Sequence, residues 1–361
     1  MSKLITVVLP TSNRGEILSE SIPLFDEQVS RNKEIVEFVV CDNASTDDTV
    51  ARLREMQLKY DWLSLVHYDE REEDVGASIA RSAKNAHGDY ILFWGDDDIP
   101  GPGMVDVLLS AVRRFPEVAC IMMNRVQARQ KEFVPFMPAT NLQMLGKHYP
   151  GLYTEYDTAQ DFIYANAAEY GFLGAYLIRR SAWLEGMKWY DASCFGYQFQ
   201  VPLFCGLKDK QCIRINYPML IQRLFNSPRY AENWPLYCYV GLPRVYKIVQ
   251  KAGVIDNWRI PVRSFRYPAS TSAFVFEMLG MWRRNWLLYR PYAQEIAANQ
   301  DSWIRMAVAM SVGVLAFCKP LLFLIDRIHI VLRILLRPLL QLIVGYGRVL
   351  VFFVRRLFRH N

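Results

Sequence analysis

Histidine and cysteine are too sparse and too scattered in this sequence to form a recognisable metal or hydrolytic site. There are 5 histidines and 7 cysteines among 361 residues, and no Cys-x-x-Cys pair occurs. Structural zinc needs clustered thiolate and imidazole ligands, so the composition argues against a zinc module. An odd number of cysteines without paired spacing also argues against a disulfide framework. It predicts reduced, mostly buried thiols in a cytosolic compartment.

A glycine-rich phosphate loop is also missing. The first apolar run, LITVVLP at 4–10, is followed by a turn whose only glycine is Gly15. Loops that cradle phosphates through backbone N–H groups need several glycines at this turn. A sugar-nucleotide pyrophosphorylase is therefore disfavoured.

Long apolar runs are lacking at both ends of the chain. The N-terminal stretch is too short for a signal peptide, which predicts that the main body is not exported. Near the other end, the longest uncharged run covers 306–318 and has 13 residues. A membrane-spanning helix needs roughly 20. A span through 306–325, with Lys319 reaching the membrane surface, remains a minority alternative.

The C-terminal tail is apolar and basic. From residue 303 onward there are nine lysines and arginines and one acid, whereas the rest of the chain has 33 basic and 35 acidic residues. Polar residues recur at spacings of four or seven and share one helical face: Arg333, Arg337, Gln341, Arg348, Arg355 and Arg359. The pattern predicts basic amphipathic helices over 303–361 that lie on an anionic membrane surface. It argues against a nucleic-acid partner, and a helical hairpin packed on protein is the alternative.

Strand and helix patterns alternate over the first hundred residues. Strands are predicted at 4–10, 35–43, 63–69 and 89–95, and helices at 15–29, 45–60 and 76–86. Ser45 and Asp48 resemble a capping box at the start of the second helix. Further strands are predicted at 118–126, 172–180 and 211–223. This order predicts an α/β fold with a mostly parallel sheet and helices on both faces.

Three adjacent carboxylates follow the fourth strand, in the stretch FWGDDDIP at 93–100. Asp96 and Asp98 point to the same side of an extended segment, because side chains alternate along it. Oxygen ligands of this kind suit Mg²⁺ or Mn²⁺, completed by the phosphates of a bound diphosphate. The alternative is a solvated acidic turn before the next helix. The position of the aspartates at the ligand-binding edge of the sheet, with Asp42 one strand end away, favours the metal.

TVVLPTSNR, VVCDNASTDDT, the 76–85 helix and GDYILFWGDDD resemble, in order and spacing, the family-2 glycosyltransferases with the GT-A fold, of the bacterial surface-polysaccharide type. The resemblance covers residues 4–125 and continues more weakly to 225. It implies a GT-A domain over 1–225, with a nucleotide-sugar half at 1–125 and an acceptor half at 126–225. A helical, aromatic-rich extension at 226–302 and the membrane-associating tail at 303–361 would follow.

The resemblance also implies roles for individual residues. The donor nucleotide-sugar would lie against Pro10, Thr11, Asn13, Arg14, Asp42, Asp96, Asp97 and Arg223. Asp42 would accept a hydrogen bond from the base, and Asp98 with Asp96 would hold Mn²⁺ or Mg²⁺. Two of these assignments have structural alternatives. Arg14 could have a purely structural role as the ion-pair partner of an acid on a helix. Asp42 could likewise serve as a cap for the segment after its strand.

The catalytic base is where the chain departs from the family pattern. Inverting members carry an acid after a glycine, but the corresponding GYQFQ at 196–200 has Gln198, which cannot take a proton. Asp191 is the nearest acid, and Glu169 is the second candidate. The stereochemical course, expected to be inverting, depends on which acid serves.

These observations predict a membrane-associated glycosyltransferase. It would move a sugar from a nucleotide donor to a polyprenyl-diphosphate-linked saccharide at the cytoplasmic face of the plasma membrane, in O-antigen or capsule assembly. One alternative is a polyprenyl-phosphate glycosyltransferase. Another is a non-catalytic nucleotide-sugar-binding scaffold in a membrane glycan complex, with a second copy of the chain or other assembly proteins as partners.

Overall fold

A nine-stranded sheet forms the framework of the part of the chain that the structure describes. The computed structural model describes residues 3–128, 151–167, 172–223, 233, 236–264 and 289–300. The chain divides into two compact units, residues 1–267 and 268–361, and the sheet belongs to the first. The predicted boundaries at 225/226 and 302/303 stay predictions.

The strands in chain order are β1 (Ile5–Thr11), β2 (Val36–Asn43), β3 (Leu63–Tyr68), β4 (Tyr90–Phe93), β5 (Ile99–Pro100), β6 (Val118–Ala128), β7 (Tyr153–Tyr156), β8 (Tyr176–Arg179) and β9 (Gln211–Arg223). The α-helices are α1 (Gly15–Ser21), α2 (Asp26–Ser30), α3 (Thr49–Lys59), α4 (Val75–Ser82), α5 (Met104–Arg114), α6 (Ala159–Asn166), α7 (Arg180–Gly186), α8 (Gln200–Cys205), α9 (Leu242–Lys251), α10 (Arg259–Ser264) and, in the second unit, α11 (Ala293–Ala298). The sheet order is β3-β2-β1-β4-β8-β6-β9-β5, and β7 pairs with β9.

The first four strands are parallel to one another, as the sequence predicts. β1 pairs with β2 and β4, and β2 pairs with β3, all in parallel register. Val7, Val8 and Leu9 of β1 have no exposed surface, as expected for a strand covered on both faces. Because crossovers are right-handed, α1 and α3 lie on one face and α4 on the other, which agrees with the contact between α1 and α3.

The rest of the sheet is mixed. β8 is antiparallel to β4 and β6, and β7 and β5 are antiparallel to β9, whereas β6 and β9 run parallel. The predicted α/β fold is therefore confirmed, with its all-parallel part confined to β1–β4. Strand β9 matches its predicted bounds of 211–223.

Two local predictions are wrong. The helix predicted at 15–29 is broken into α1, a 3₁₀ turn at Ile22–Phe25 and α2, because Pro23 has no N–H to continue the helix. The capping box at Ser45 and Asp48 does not form. Helix α3 begins later, at Thr49, whose N–H donates to Asp47 Oδ1 at 3.0 Å. Ser45 is thereby available to the site at the end of β2.

No helix within the described residues has the length and apolarity needed to cross a membrane. The tail at 303–361, predicted to lie on a membrane, falls outside those residues. Its membrane association stays a prediction.

Candidate active site

The carboxyl ends of the parallel strands form the edge where a ligand is expected. Strand β1 lies between β2 and β4, so the strand order reverses at β1. Open α/β sheets bind ligands outside the strand ends at such a reversal. Thr11 ends β1, Asp42 lies near the end of β2, and the three aspartates follow β4. The structure therefore brings the predicted donor residues from three strands to one edge.

Asp96 occupies the point of reversal. Thr11 Oγ1 donates a hydrogen bond to Asp96 Oδ2 at 2.9 Å, and Arg14 Nε lies 3.8 Å from the same oxygen. The Asp96 side chain is 15% exposed. Burial, and then the charge of Asp97, raise its pKa to about 6, and Arg14 and Thr11 partly offset this rise. Asp96 is therefore a carboxylate that loses its charge in mildly acidic solution.

Asp98 is enclosed more completely. It is 2% exposed, and its Oδ1 has no hydrogen-bond partner among the residues that the structure describes. Burial first, and then the charges of Asp97 and Asp96, raise its pKa well above the ordinary value. A Cβ atom at Gly95 would overlap Asp98 Oδ2, and one at Gly174 would lie 3.1 Å from it. The two glycines thus allow the backbone to close around this carboxylate.

Arg223 brings a buried positive charge to the aspartates from the end of β9. Its side chain is 3% exposed. Nε donates to the carbonyl oxygen of Asp97 at 2.6 Å, and Nη1 donates to Glu20 Oε2 at 2.9 Å. Its charge lowers the pKa of both Asp96 and Asp98. Nη2 is buried with no acceptor in the described part of the chain. The predicted donor residue Arg223 is therefore fixed beside the acidic cluster.

Arg125 of β6 is a third cation at this cluster, beside Arg14 and Arg223, and is absent from the sequence-based predictions. Its Nε donates to Gln222 Oε1 at 2.9 Å, and its guanidinium lies 4.8 Å from the ring centre of Phe172. Its charge also lowers the pKa of Asp98. Only the pairing of β6 with β9 brings Arg125 beside Arg223's strand, so no local sequence signal could identify it.

A buried carboxylate network lies at the other end of the edge, on β2 and β3. The Asp42 side chain has no exposed surface. Its Oδ1 accepts from Ser45 Oγ, and its Oδ2 accepts from the Ser45 N–H at 3.1 Å. His67 Nδ1 lies 2.8 Å from the same Oδ2, and the His67 side chain is 37% exposed. His67 is also not among the site residues predicted from the sequence, because only the register of β2 and β3 places it beside Asp42.

The loop after β1 is tied to the same network. The Asn13 N–H donates to Ser45 Oγ at 2.8 Å, and Asn13 Oδ1 accepts from the Thr46 N–H at 2.8 Å. Asn13 has a φ of 56°, a left-handed conformation that asparagine tolerates better than most residues. Pro10 lies in β1 opposite Cys41. Hydrogen bonds thus run from β3 through β2 to the β1 loop.

The loop with the predicted catalytic base packs on the start of α4. Asp191 Oδ1 accepts from the Ser193 N–H at 2.7 Å. Gln198 is 1% exposed, its Nε2 donates to the carbonyl oxygen of Ala192 at 3.2 Å, and a Cβ atom at Gly76 would overlap its Oε1. Gln198 therefore acts here as a buried packing residue. Glu169, the other candidate base, lies outside the described residues.

Asp74 is the acid that joins this loop to α4. It caps α4 by accepting from the N–H groups of Gly76 and Ala77, at 2.8 and 3.4 Å to Oδ1. Its Oδ2 also accepts from the Gly196 N–H at 3.2 Å. A carboxylate held by three backbone donors is suited to fixing the loop. The contact with Gly196 spans 122 residues of sequence, which explains why the motif alone does not reveal it.

The acidic cluster has the character expected of a divalent-cation site. No group of three or more His, Cys, Asp or Glu residues with metal-binding geometry occurs within the described ranges. Mg²⁺ and Mn²⁺ nevertheless need only one or two carboxylates when substrate phosphates complete the shell. Asp98 Oδ1 is buried without a hydrogen-bond partner in the described residues, and burial first, then the crowding of charge, raises the pKa of both Asp96 and Asp98. The segment is not extended as predicted, because Asp96 and Asp97 form a turn in which the Asp98 N–H donates to the Gly95 carbonyl oxygen at 3.3 Å. A cation at this cluster would relieve the crowding and give Asp98 Oδ1 a partner.

Comparisons with known proteins agree with the geometry. Residues 6–169 match the model of the family described as Glycosyl transferase family 2. The chain is similar to the glycosyltransferase GlyG of Streptococcus pneumoniae, with 26% identity over 118 residues, 31% of this chain and 36% of GlyG. It is also similar to the putative glycosyltransferase EpsE of Bacillus subtilis, with 23% identity over 221 residues, 58% of this chain and 75% of EpsE.

A third relative is the poly(ribitol-phosphate) beta-glucosyltransferase of Bacillus spizizenii, which is 30% identical over 97 residues, 27% of this chain and 15% of that protein. The chain thus spans well under half the length of two of these three relatives. Among solved structures, residues 1–349 of S. aureus TarS superpose with a TM-score of 0.60 at 12% identity, covering 87% of this chain and 89% of TarS 1–349. At that identity the likeness establishes a shared fold, here the GT-A type predicted from the sequence.

Proposed function

Since residues 6–169 match the family-2 glycosyltransferase model, we propose that the chain transfers a sugar from a nucleoside-diphosphate donor to an acceptor hydroxyl. The observation that carries the proposal is the position of two crowded carboxylates, the partly buried Asp96 and the buried Asp98, beside the buried cation Arg223 at the reversal of strand order. A divalent cation would offset the negative charge of the two carboxylates, and a diphosphate would offset the positive charge of Arg223. Crystal structures of TarS with UDP-GlcNAc and with UDP show that this shared fold accommodates such a donor in that protein.

The roles of the residues follow from their positions. Asp96 and Asp98 would hold Mn²⁺ or Mg²⁺, which would supply positive charge to the departing diphosphate. Arg223 fixes the loop of aspartates through the Asp97 carbonyl, and its buried Nη2 has no acceptor among the described residues. Arg14 restrains Asp96. Negative charge that develops on the leaving group is stabilised by groups already in place, which lowers the barrier without reorganisation.

Asp191 is the general base that takes the proton from the acceptor hydroxyl, with Glu169 as the second candidate. Gln198 cannot fill this role, because its amide is neutral and its Nε2 is bonded to the Ala192 carbonyl. Asp191 Oδ1 is held by the Ser193 N–H. That contact orients the carboxylate and leaves Oδ2 to accept the proton, with inversion at the transferred sugar.

The acceptor is a lipid-linked saccharide at the cytoplasmic face of the plasma membrane. The support is the sequence of 303–361, whose apolar and arginine faces are typical of a helix in the membrane interface. Two relatives act on large or lipidic acceptors by their names, one a poly(ribitol-phosphate) glucosyltransferase and the other the cholesterol galactosyltransferase of Borreliella burgdorferi. A tail of this kind holds the active site at the height of the lipid headgroups.

Donor use is tested with a panel of nucleotide sugars on the purified full chain. We expect slow hydrolysis of one donor in the presence of Mn²⁺ or Mg²⁺. Chelation by EDTA should lower the rate at least about 10-fold, because the carboxylates alone repel the diphosphate. Added metal should restore the rate. If no donor is bound or hydrolysed with any divalent metal, the activity is refuted and a scaffold that does not bind a donor is favoured.

Membrane binding is tested on the full chain by replacing Arg333, Arg337, Arg348 and Arg355 with glutamine. Each basic residue near an anionic surface contributes about 1 kcal/mol, so binding to phosphatidylserine vesicles should weaken by roughly a thousandfold. Cosedimentation with anionic and with neutral vesicles measures the effect. Equal binding of the variant and the natural chain to anionic vesicles would contradict the tail's electrostatic role.

A further inference from the structure

The pair formed by Asp42 and His67 is not explained by the chemistry at the aspartates. The two residues are partners in the register of β2 and β3, so their side chains stand on the same face of the sheet. Asp42 has no exposed surface, whereas 37% of the His67 side chain is exposed. The imidazole therefore extends from a buried carboxylate to the surface of the ligand-binding edge.

The position of the pair indicates which part of a donor it meets. Strands β3, β2, β1 and β4 are neighbours, so the edge from His67 to the aspartates is three strand spacings wide, about 14 Å. The diphosphate belongs at the β4 end, where Arg223 and a divalent cation offset its charge. A nucleotide laid along the edge then places its base at the β2–β3 end.

Asp42 does not reach that base itself, because its side chain has no exposed surface. Its Oδ1 accepts from the Ser45 hydroxyl, and its Oδ2 accepts from the Ser45 N–H and faces His67 Nδ1 at 2.8 Å. An ionised carboxylate only accepts, so Nδ1 carries a proton. In the neutral ring Nε2 is then an acceptor, and it lies 4.0 Å from the fully exposed Asp69.

We propose that His67 reads the nucleobase of the donor through Nε2, and that Asp42 is the positioning residue that fixes its tautomer. The inference rests on the proposed function. An outward acceptor selects a base with a ring N–H, as in uracil, thymine or guanine. Cytosine and adenine present an acceptor nitrogen at the corresponding ring position, and two acceptors facing each other leave both unpaired.

The test compares His67→Asn with His87→Asn in the full chain. Asparagine keeps a donor at the place of Nδ1, so its bond to Asp42 and the fold are preserved, but the distal acceptor is lost. His87 is a matched control. Its Nδ1 also faces a carboxylate, Glu37 at 3.0 Å, but it lies at the amino end of the sheet and is 71% exposed.

Calorimetric titration with UDP, GDP, CDP and ADP in the presence of Mn²⁺ gives the readout. The natural chain should bind UDP or GDP about tenfold more tightly than CDP and ADP, the effect of one hydrogen bond made or left unpaired. His67→Asn should remove most of this preference and raise KM for the preferred donor with little change in kcat. His87→Asn should change neither. His67→Gln, which returns an acceptor near the place of Nε2, should restore part of the preference.

Three results overturn the proposal, and they are distinguishable. Unchanged discrimination in a folded His67→Asn variant refutes the role of His67 and leaves the proposed function intact. A natural chain that prefers CDP or ADP also refutes it. Failure of the natural chain to bind any of the four nucleotides refutes the proposed function together with the inference.

Discussion

Replacing Asp98 with asparagine is expected to abolish sugar transfer and, at the same time, to stabilise the ligand-free protein at neutral pH. Asparagine keeps the shape of the side chain but removes a charge that a divalent cation needs. Loss of outer-shell partners alone commonly lowers metal affinity or activity 10- to 100-fold, so loss of a direct ligand should cost at least about 100-fold. Turnover of the preferred donor with saturating Mn²⁺ measures this effect.

The gain in stability follows from the environment of Asp98. Burial and the neighbouring aspartates raise its pKa well above the ordinary value. A carboxyl group whose pKa is raised by folding binds its proton more tightly in the folded state, so the free energy of unfolding falls as pH rises between the unfolded and folded pKa values. At pH 8, far above the ordinary pKa of a carboxyl group, the native protein therefore bears the cost of burying Asp98, and the neutral amide does not carry this cost.

Denaturation in urea at pH 8 and at pH 5, without metal, provides the comparison. The advantage of Asp98→Asn should be largest at pH 8 and should shrink as the natural carboxyl group gains its proton. Asp89→Asn is the control, because Asp89 is an exposed carboxylate at the opposite end of β4. A variant less stable than the natural chain at pH 8 would mean that Arg125 and Arg223 already compensate the charge without a cation.

The carboxyl edge of strands β1–β4 could be predicted as a ligand-binding edge because the sequence signals for it are local. A β-branched run followed by polar residues identifies both a buried strand and its carboxyl end, and parallel strands bring those ends together. Thr11, Asp42 and Asp96 could therefore be assigned to one site from the sequence alone. The structure places all three at that edge, while their roles in binding a donor stay predictions.

The residues that were missed depend on pairing between distant strands or segments. His67 matters because of its register with Asp42, Arg125 because β6 lies beside β9, and Asp74 because a loop more than a hundred residues away packs on its helix cap. Hydrophobic periodicity predicts on which face of a strand or helix a side chain lies. It does not predict which residue of another strand or loop that side chain contacts. The misplaced start of α3 has a local cause instead, because Ser45 bonds to Asp42, three residues before it, rather than to the helix.

Replacing Arg223 with glutamine should lower the free energy of unfolding. It should also move the acidic limb of the pH–activity profile to higher pH. The guanidinium is 3% exposed and bonded to the Asp97 carbonyl and to Glu20. Removing one member of a buried ion pair costs about 3–5 kcal/mol. Because the Glu20 side chain is 44% exposed, we expect about 2 kcal/mol here. Glu20→Gln, which keeps an acceptor for Arg223, should cost less than about 1 kcal/mol.

The pH dependence of activity distinguishes the effect of Arg223 on the charge of Asp96 from its contribution to the stability of the fold. At Mn²⁺ concentrations well below saturation the rate reports the metal-free protein, in which Asp96 has a pKa of about 6, so activity that needs its carboxylate should fall as pH drops through about 6. The charge of Arg223 lowers that pKa, so its removal should move the limb to higher pH, whereas Glu20→Gln should leave the limb in place. Rates measured from pH 5 to 8 decide the matter. If Arg223→Gln loses stability and its limb does not move, Arg223 stabilises the fold without acting on the charge of Asp96.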